Sequence, residues 1–193
     1  MRTSSILVVM CALSLSFCAT QITAQASPAA AASAAATLPP ATKIEAFKPA
    51  AGSVVTLGYD ELGATGGVTV DVRELRDASS KGATARGLLV EVIEGQYRKE
   101  RSFVDADEIP ELLRGIDALL DVKSNPTSFK NFEVRYTTRG ELRLTAFNSS
   151  NEIKYAVDAG RLVKASRIID ADDMRKLRDM FAAAQSKLTS IAK

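Results

Sequence analysis

The chain has no histidine and no tryptophan, and its two cysteines, Cys11 and Cys18, both fall within the first 18 residues. Without histidine there is no Ser-His-Asp triad, no Cys-His pair and no His-ligated zinc or haem. Aromatic residues make up 6% of the 193, which leaves few rings to stack on a sugar. No phosphate-cradling loop is present, because Gly63 to Gly67 lacks the following lysine and helix. Nor is there an excess of one charge: 25 Lys and Arg against 23 Asp and Glu leave +2. Phosphate-backbone binding needs a basic excess or stripe, so nothing points to nucleic acid. Any acid–base chemistry falls to carboxylates, Lys or Tyr.

What is there begins with an export signal. Arg2 is the only charge in the first 26 residues, an apolar run follows from Ile6 to Phe17, and Ala24-Gln25-Ala26 closes it. A basic start, a short apolar stretch and an Ala-x-Ala site make a secretory signal peptide, 1–26, cut after Ala26. The run is shorter than the roughly 20 residues of a permanent span, so the mature chain is expected to carry no transmembrane segment. Lipid attachment at Cys18 is the minority alternative, since Phe17 stands where a small residue is wanted. Cleavage after Ala26 leaves a mature chain with neither disulfides nor thiol chemistry. Residues 27–50, rich in Ala, Pro, Ser and Thr, read as a flexible linker, their prolines breaking the helix that the alanines favour.

Residues 51–193 have the size of one domain. Alternation of apolar and polar residues predicts strands near 53–59, 67–74, 86–94, 97–104, 130–138, 141–147, 152–158 and 161–166. Helical spacing of Ile109, Leu112, Leu113, Ile116, Leu119 and Leu120 predicts a helix near 107–121. Met174, Leu177, Phe181, Ala184, Leu188 and Ile191 predict another near 171–191. Met174 and Met180 are read as core filling. A three-residue loop Thr138-Arg139-Gly140, with glycine in the left-handed position, pairs Tyr136 with Leu142 and sets Arg135 opposite Arg143. A four-residue loop from Asn148 to Asn151 then pairs Ala146 with Ile153. Shifting the chain by 65 lays Gly95 on Gly160, Lys99 on Lys164, Asp105-Ala106-Asp107 on Asp170-Ala171-Asp172 and Leu112 on Leu177. The fold class expected is α+β: antiparallel meanders packed by helices, a tandem ββββα repeat with half-repeats 51–121 and 129–193.

Two groups of residues could carry chemistry. Asp105, Asp107, Asp170 and Asp172 are read as caps at the two helix starts, where orphan N–H groups and the helix dipole favour carboxylates. A calcium site on these aspartates is the weak alternative, for the further ligands and the glycine of a calcium loop are missing. Arg135, Arg139 and Arg143 form the candidate binding site, guanidinium groups being well shaped for carboxylate or phosphate. No catalytic residue, metal or cofactor is assigned. The function expected is that of an exported protein, periplasmic or secreted, that binds without catalysis: a protein, an envelope component or a small anionic ligand. A carboxylate-based envelope hydrolase and a structural envelope module are the alternatives. Intact-mass analysis of exported protein should show loss of the first 26 residues, and a species retaining Cys18 with an added lipid mass would refute cleavage at Ala26.

Overall fold

The computed structural model describes residues 38–192 except 50, 80, 81, 124 and 151. Residues 1–26, read as an export signal and containing Cys18, and linker residues 27–37 lie outside the described residues. Linker residues 38–49, by contrast, dock on the domain. Thr42 caps a one-turn helix, α1 (Lys43–Ala46), through a reciprocal capping box with Glu45. Thr42 and Ile44 are buried. The Thr-x-x-Glu spacing that makes this cap is present among the alanines and prolines, and it outweighs the composition that reads as a tether.

Eight strands form two antiparallel four-strand meanders. The first sheet comprises β1 (Val55–Thr65), β2 (Val68–Asp77), β3 (Thr84–Glu94) and β4 (Arg98–Asp105). A short 3-10 turn, Ala106–Glu108, leads into α2 (Ile109–Leu120). The second comprises β5 (Glu133–Thr137), β6 (Arg143–Ser149), β7 (Glu152–Ala159) and β8 (Ala165–Ile169), followed by α3 (Ala171–Ile191). The fold is α+β and its layout a tandem ββββα. Positions related by the 65-residue shift play matching parts. Gly95 and Gly160 hold positive φ in equivalent turns, and Leu112 and Leu177 are fully buried on their helices.

The second sheet keeps the expected faces but not the expected register. Tyr136 pairs with Leu144, not Leu142, and Arg135 faces Thr145, not Arg143. The loop is Arg139-Gly140-Glu141, closed by Thr138 N–H donating to the Leu142 carbonyl at 2.9 Å. Its left-handed residue is Glu141, with φ 61°. Gly140 is required for another reason: a Cβ there would sit 1.9 Å from the carbonyl oxygen of Phe103 on β4. At the next turn Ser149 pairs with Glu152, so that Ala146 pairs with Tyr155, not Ile153. Both corrections move the pairing by two residues, which preserves which side chains face the core. The last strand begins at Ala165, later than expected, because residues 161–164 are held as a turn. Lys164 Nζ lies 3.2 Å from Glu141 and 3.0 Å from the Gly160 carbonyl, and Leu162 and Val163 are left exposed.

The amphipathic helices bury the stripes their spacing predicts: Ile109, Leu112, Ile116 and Leu119 on α2, and Met174, Leu177, Phe181, Ala184 and Leu188 on α3. Each closes chiefly the sheet of the other half. The α2 helix packs on β5 and β6, while α3 packs on β1 and β2. The two helices also pack on each other, tied by Arg178, whose Nε and Nη2 lie 2.5 and 3.2 Å from the two oxygens of Asp117. Gly115 sits mid-helix where Ala would be about 1 kcal/mol better. It does so because a Cβ there would meet the Tyr136 ring at 2.5 Å. One core results, running from Val68, Val70 and Val90 through the helices to Leu144 and Val157. Chains 38–123 and 125–193, expressed separately, should each be unfolded by circular dichroism and regain structure on mixing. A stably folded isolated half would refute the exchange. Gly140→Ala should cost about 1–3 kcal/mol in chemical denaturation, as overpacking does.

Candidate functional site

The solvent face of the second sheet brings two of the three candidate arginines together. Strand alternation sends Glu133 and Arg135 of β5 to the same side as Arg143 and Thr145 of β6, and Asp158 of β7 lies beside Arg143 in register. Arg135 and Arg143 are thus diagonal neighbours, one pair apart. With Thr145, Asp158 and Ser166 they line a shallow groove of about 220 Å³. The like-charge clash expected from direct opposition is absent. Arg135 pairs with Glu133 along its own strand, and Arg143 has the Asp158 carboxylate across from it. The groove therefore carries both signs of charge on a rigid, hydrogen-bonded floor.

Arg139 is not part of that groove. At the hairpin tip it reaches back to the β4–α2 junction. Its Nη2 lies 3.0 Å from Asp107, its Nε 3.4 Å from Glu108 and its Nη1 3.7 Å from Asp105. Its backbone N–H donates to Glu108 at 2.6 Å. The hydrogen bond to Asp107 raises its pKa above the ordinary arginine value; burial opposes the rise, and the charges of Glu108, Asp107 and Asp105 reinforce it. Arg139 is a clamp between the two halves of the chain.

The aspartates divide. Asp170 does cap its helix, accepting from the Asp173 N–H at 2.8 Å, and Asp172 pairs with Arg175 at 2.6 Å. Asp105 makes no side-chain cap on the turn that follows it. Instead its fully buried carboxylate accepts from the Lys43 N–H at 2.9 Å on both oxygens and from the Ile44 N–H at 3.4 Å. It caps α1, some sixty residues earlier in the chain. Asp107 lies between Lys43 and Arg139, each 3.0 Å away. Hydrogen bonding from Lys43 lowers its pKa, burial pushes the other way, and Arg139 adds to the lowering. Among the described residues no three acidic, His or Cys side chains are grouped to hold a metal ion.

Sequence reasoning missed Lys43 and placed Glu108 in a capping box with Asp105, whereas Glu108 meets Arg139 through the folding-back of distant segments. Arg161 was missed for the same reason: it donates to the Pro39 carbonyl at 2.8 Å and pairs with Glu45 at 3.6 Å. Only the capping-box spacing Thr42–Glu45 was a readable signal. Among the described residues no helix is long and apolar enough to cross a membrane. Comparison with family models, with curated proteins and with solved structures finds no match for this chain.

Asp105→Asn should cost about 1–3 kcal/mol, the usual penalty for spoiling buried hydrogen bonding. Asp107 has a folded pKa below its ordinary 3.8. Its pairing is therefore fully stabilising above that value and is lost as the pH falls through the folded one. Asp107→Asn should flatten the acid limb of the melting-temperature profile below about pH 4. An unchanged acid limb would show that the exposed pair contributes nothing.

Proposed function

We propose that the chain is an exported, non-enzymatic binding protein, periplasmic or secreted, that takes an anionic group on the solvent face of its second sheet. The observation that carries this reading is the shared groove of Arg135 and Arg143, with the Ser166 and Thr145 hydroxyl residues between strands. Two guanidinium groups one pair apart on a sheet can fork onto a carboxylate or phosphate, with binding energy taken from charge-assisted hydrogen bonds. Glu133 pairs with Arg135 and Asp158 stands opposite Arg143, and these carboxylates set a threshold. A ligand must offer more than an isolated charge to compete with them, which favours a group presented by a protein or an envelope component.

The hydrolase alternative draws less support. A general acid in glycoside hydrolysis needs a carboxyl whose pKa is pushed up. Among the described residues the carboxylates with shifted pKa values, Glu91, Asp107, Asp117 and Glu152, all move down. At Glu91 burial works to raise the value, and hydrogen bonds from Lys99 and Arg101 outweigh it.

The test is titration of the exported chain with a short acidic peptide, with inorganic phosphate as the isolated-ion control that should shift little, followed by amide chemical shifts. Resonances of β5, β6 and β7 should move together in the wild type and stay still in Arg135→Ala/Arg143→Ala. The double variant should melt within about 1 kcal/mol of wild type, as loss of exposed ion pairs does. If it lost stability and kept its binding, the arginines would be structural and the binding face would lie elsewhere.

A further inference from the structure

Each four-strand sheet has two edges, and the four are treated differently. The β5–β6 loop lies over β4, with Gly140 against the Phe103 carbonyl. The Gly160 N–H adds a hydrogen bond to Ser102 Oγ at 3.1 Å. The β1–β2 turn in the same way lies over β8, where Arg167 Nε donates to the Gly66 carbonyl at 3.1 Å. The β5 edge is five residues long and carries Glu133 and Arg135. Shortness and charge of that kind blunt a strand edge against pairing. The β1 edge lacks the first defence, and its charges, Asp60 and Glu61, lie beyond the apolar row, next to a register shift between Glu61 and Gly63. It is eleven residues long, it contains no Lys, Arg or Pro, and among the described residues its only strand partner is β2.

The first seven residues of β1, Val55 to Glu61, are all exposed. Val55, Leu57 and Tyr59 alternate onto the outer face, with 37%, 47% and 71% of their surface in solvent. Contacts from α3 lie on the inner face, where Met180 approaches Gly63, Asp173 accepts from Thr65 and Lys187 pairs with Asp60. An open row of strand N–H and C=O groups beside an apolar stripe is a template for another strand.

We infer that this edge pairs with β1 of a second copy of the chain, antiparallel about a two-fold axis through Gly58. The strand's own sequence is compatible with that partner and suits that register. An axis normal to the sheet keeps outer face with outer face, and centring it on Gly58 sets Tyr59 opposite Leu57 of the other copy, twice over. Aromatic–aliphatic pairs of this kind are favourable cross-strand neighbours. Asp60 then faces Thr56, and Glu61 faces Val55, so no acidic side chain opposes another. Moving the axis to Asp60 or Glu61 would put like charges directly opposite, which is unfavourable. The result is an isologous contact joining two four-strand sheets into one of eight strands. The groove of Arg135 and Arg143 lies on the other sheet of each copy, so the pairing does not depend on the function proposed for it.

Sedimentation of the full exported chain tests this, with two kinds of variant. Wild-type protein should show concentration-dependent dimers. Leu57→Lys/Tyr59→Lys alters two exposed side chains and should be monomeric with an unchanged circular dichroism spectrum. In a chain whose Cys11 and Cys18 are replaced by Ser, Gly58→Cys should oxidise to a covalent dimer, because residues at the axis face their own copies at disulfide range. Glu61→Cys should not. Wild type that stays monomeric at millimolar concentration overturns the inference, whether or not an added extended peptide shifts β1 resonances. Dimers that survive Leu57→Lys/Tyr59→Lys, with no cross-link at Gly58, overturn it equally.

Discussion

Two sheets, each with one apolar face, must be covered by two helices, and the chain covers them crosswise. The α2 helix leaves the first sheet to lie on β5 and β6, and α3 leaves the second to lie on β1 and β2. Two features of the core follow from that exchange. A helix placed between the halves needs its stripe matched to strands distant in sequence, and Gly115 yields space for Tyr136 for that purpose. It also makes the core single: Leu112 and Leu177, which occupy matching places in the two halves, belong to one buried cluster.

Charge does at the periphery what apolar packing does inside. The β4–α2 junction carries Asp105 and Glu108, both buried. Burying carboxylates is costly unless their oxygens are paired and hydrogen-bonded. The chain meets this cost for Asp105 with the backbone N–H groups of α1, and for Glu108 in part: Oε1 accepts from the Arg139 backbone, while Oε2 makes no hydrogen bond and has only the Arg139 guanidinium 3.4 Å away. Three segments that are remote in sequence thereby converge on one corner: residues 38–49, the strand–helix junction and the β5–β6 hairpin tip. The same convergence covers the edge of β4, which would otherwise be open to pairing.

With the helices inside and two edges covered, what remains open is a sheet face and a sheet edge. The solvent face of the second sheet offers paired arginines balanced by neighbouring carboxylates. On the function proposed for it, such a surface would discriminate among ligands by geometry more than by charge. The β1 edge offers backbone groups and an apolar row instead, so the two surfaces ask for different partners.

How much of this was legible beforehand depended on the range of the physics involved. Strand and helix identities were readable because side-chain periodicity is local: alternation in Val134 and Tyr136, and helical spacing in Leu177, Phe181 and Ala184, report burial directly. The tandem ββββα plan and the core faces followed from the same patterns, and a two-residue slip of register left those faces intact. The export signal and the candidate arginines were likewise sequence readings. The tertiary structure alone decided which helix closes which sheet, since two similar amphipathic stripes do not name their partners. It also decided that Gly140 serves a close approach to β4 rather than a left-handed turn, and that Asp105 caps α1. It set Arg139 apart from Arg135 and Arg143 as well. Each of these depends on contacts between residues far apart in the chain, and no local pattern records them.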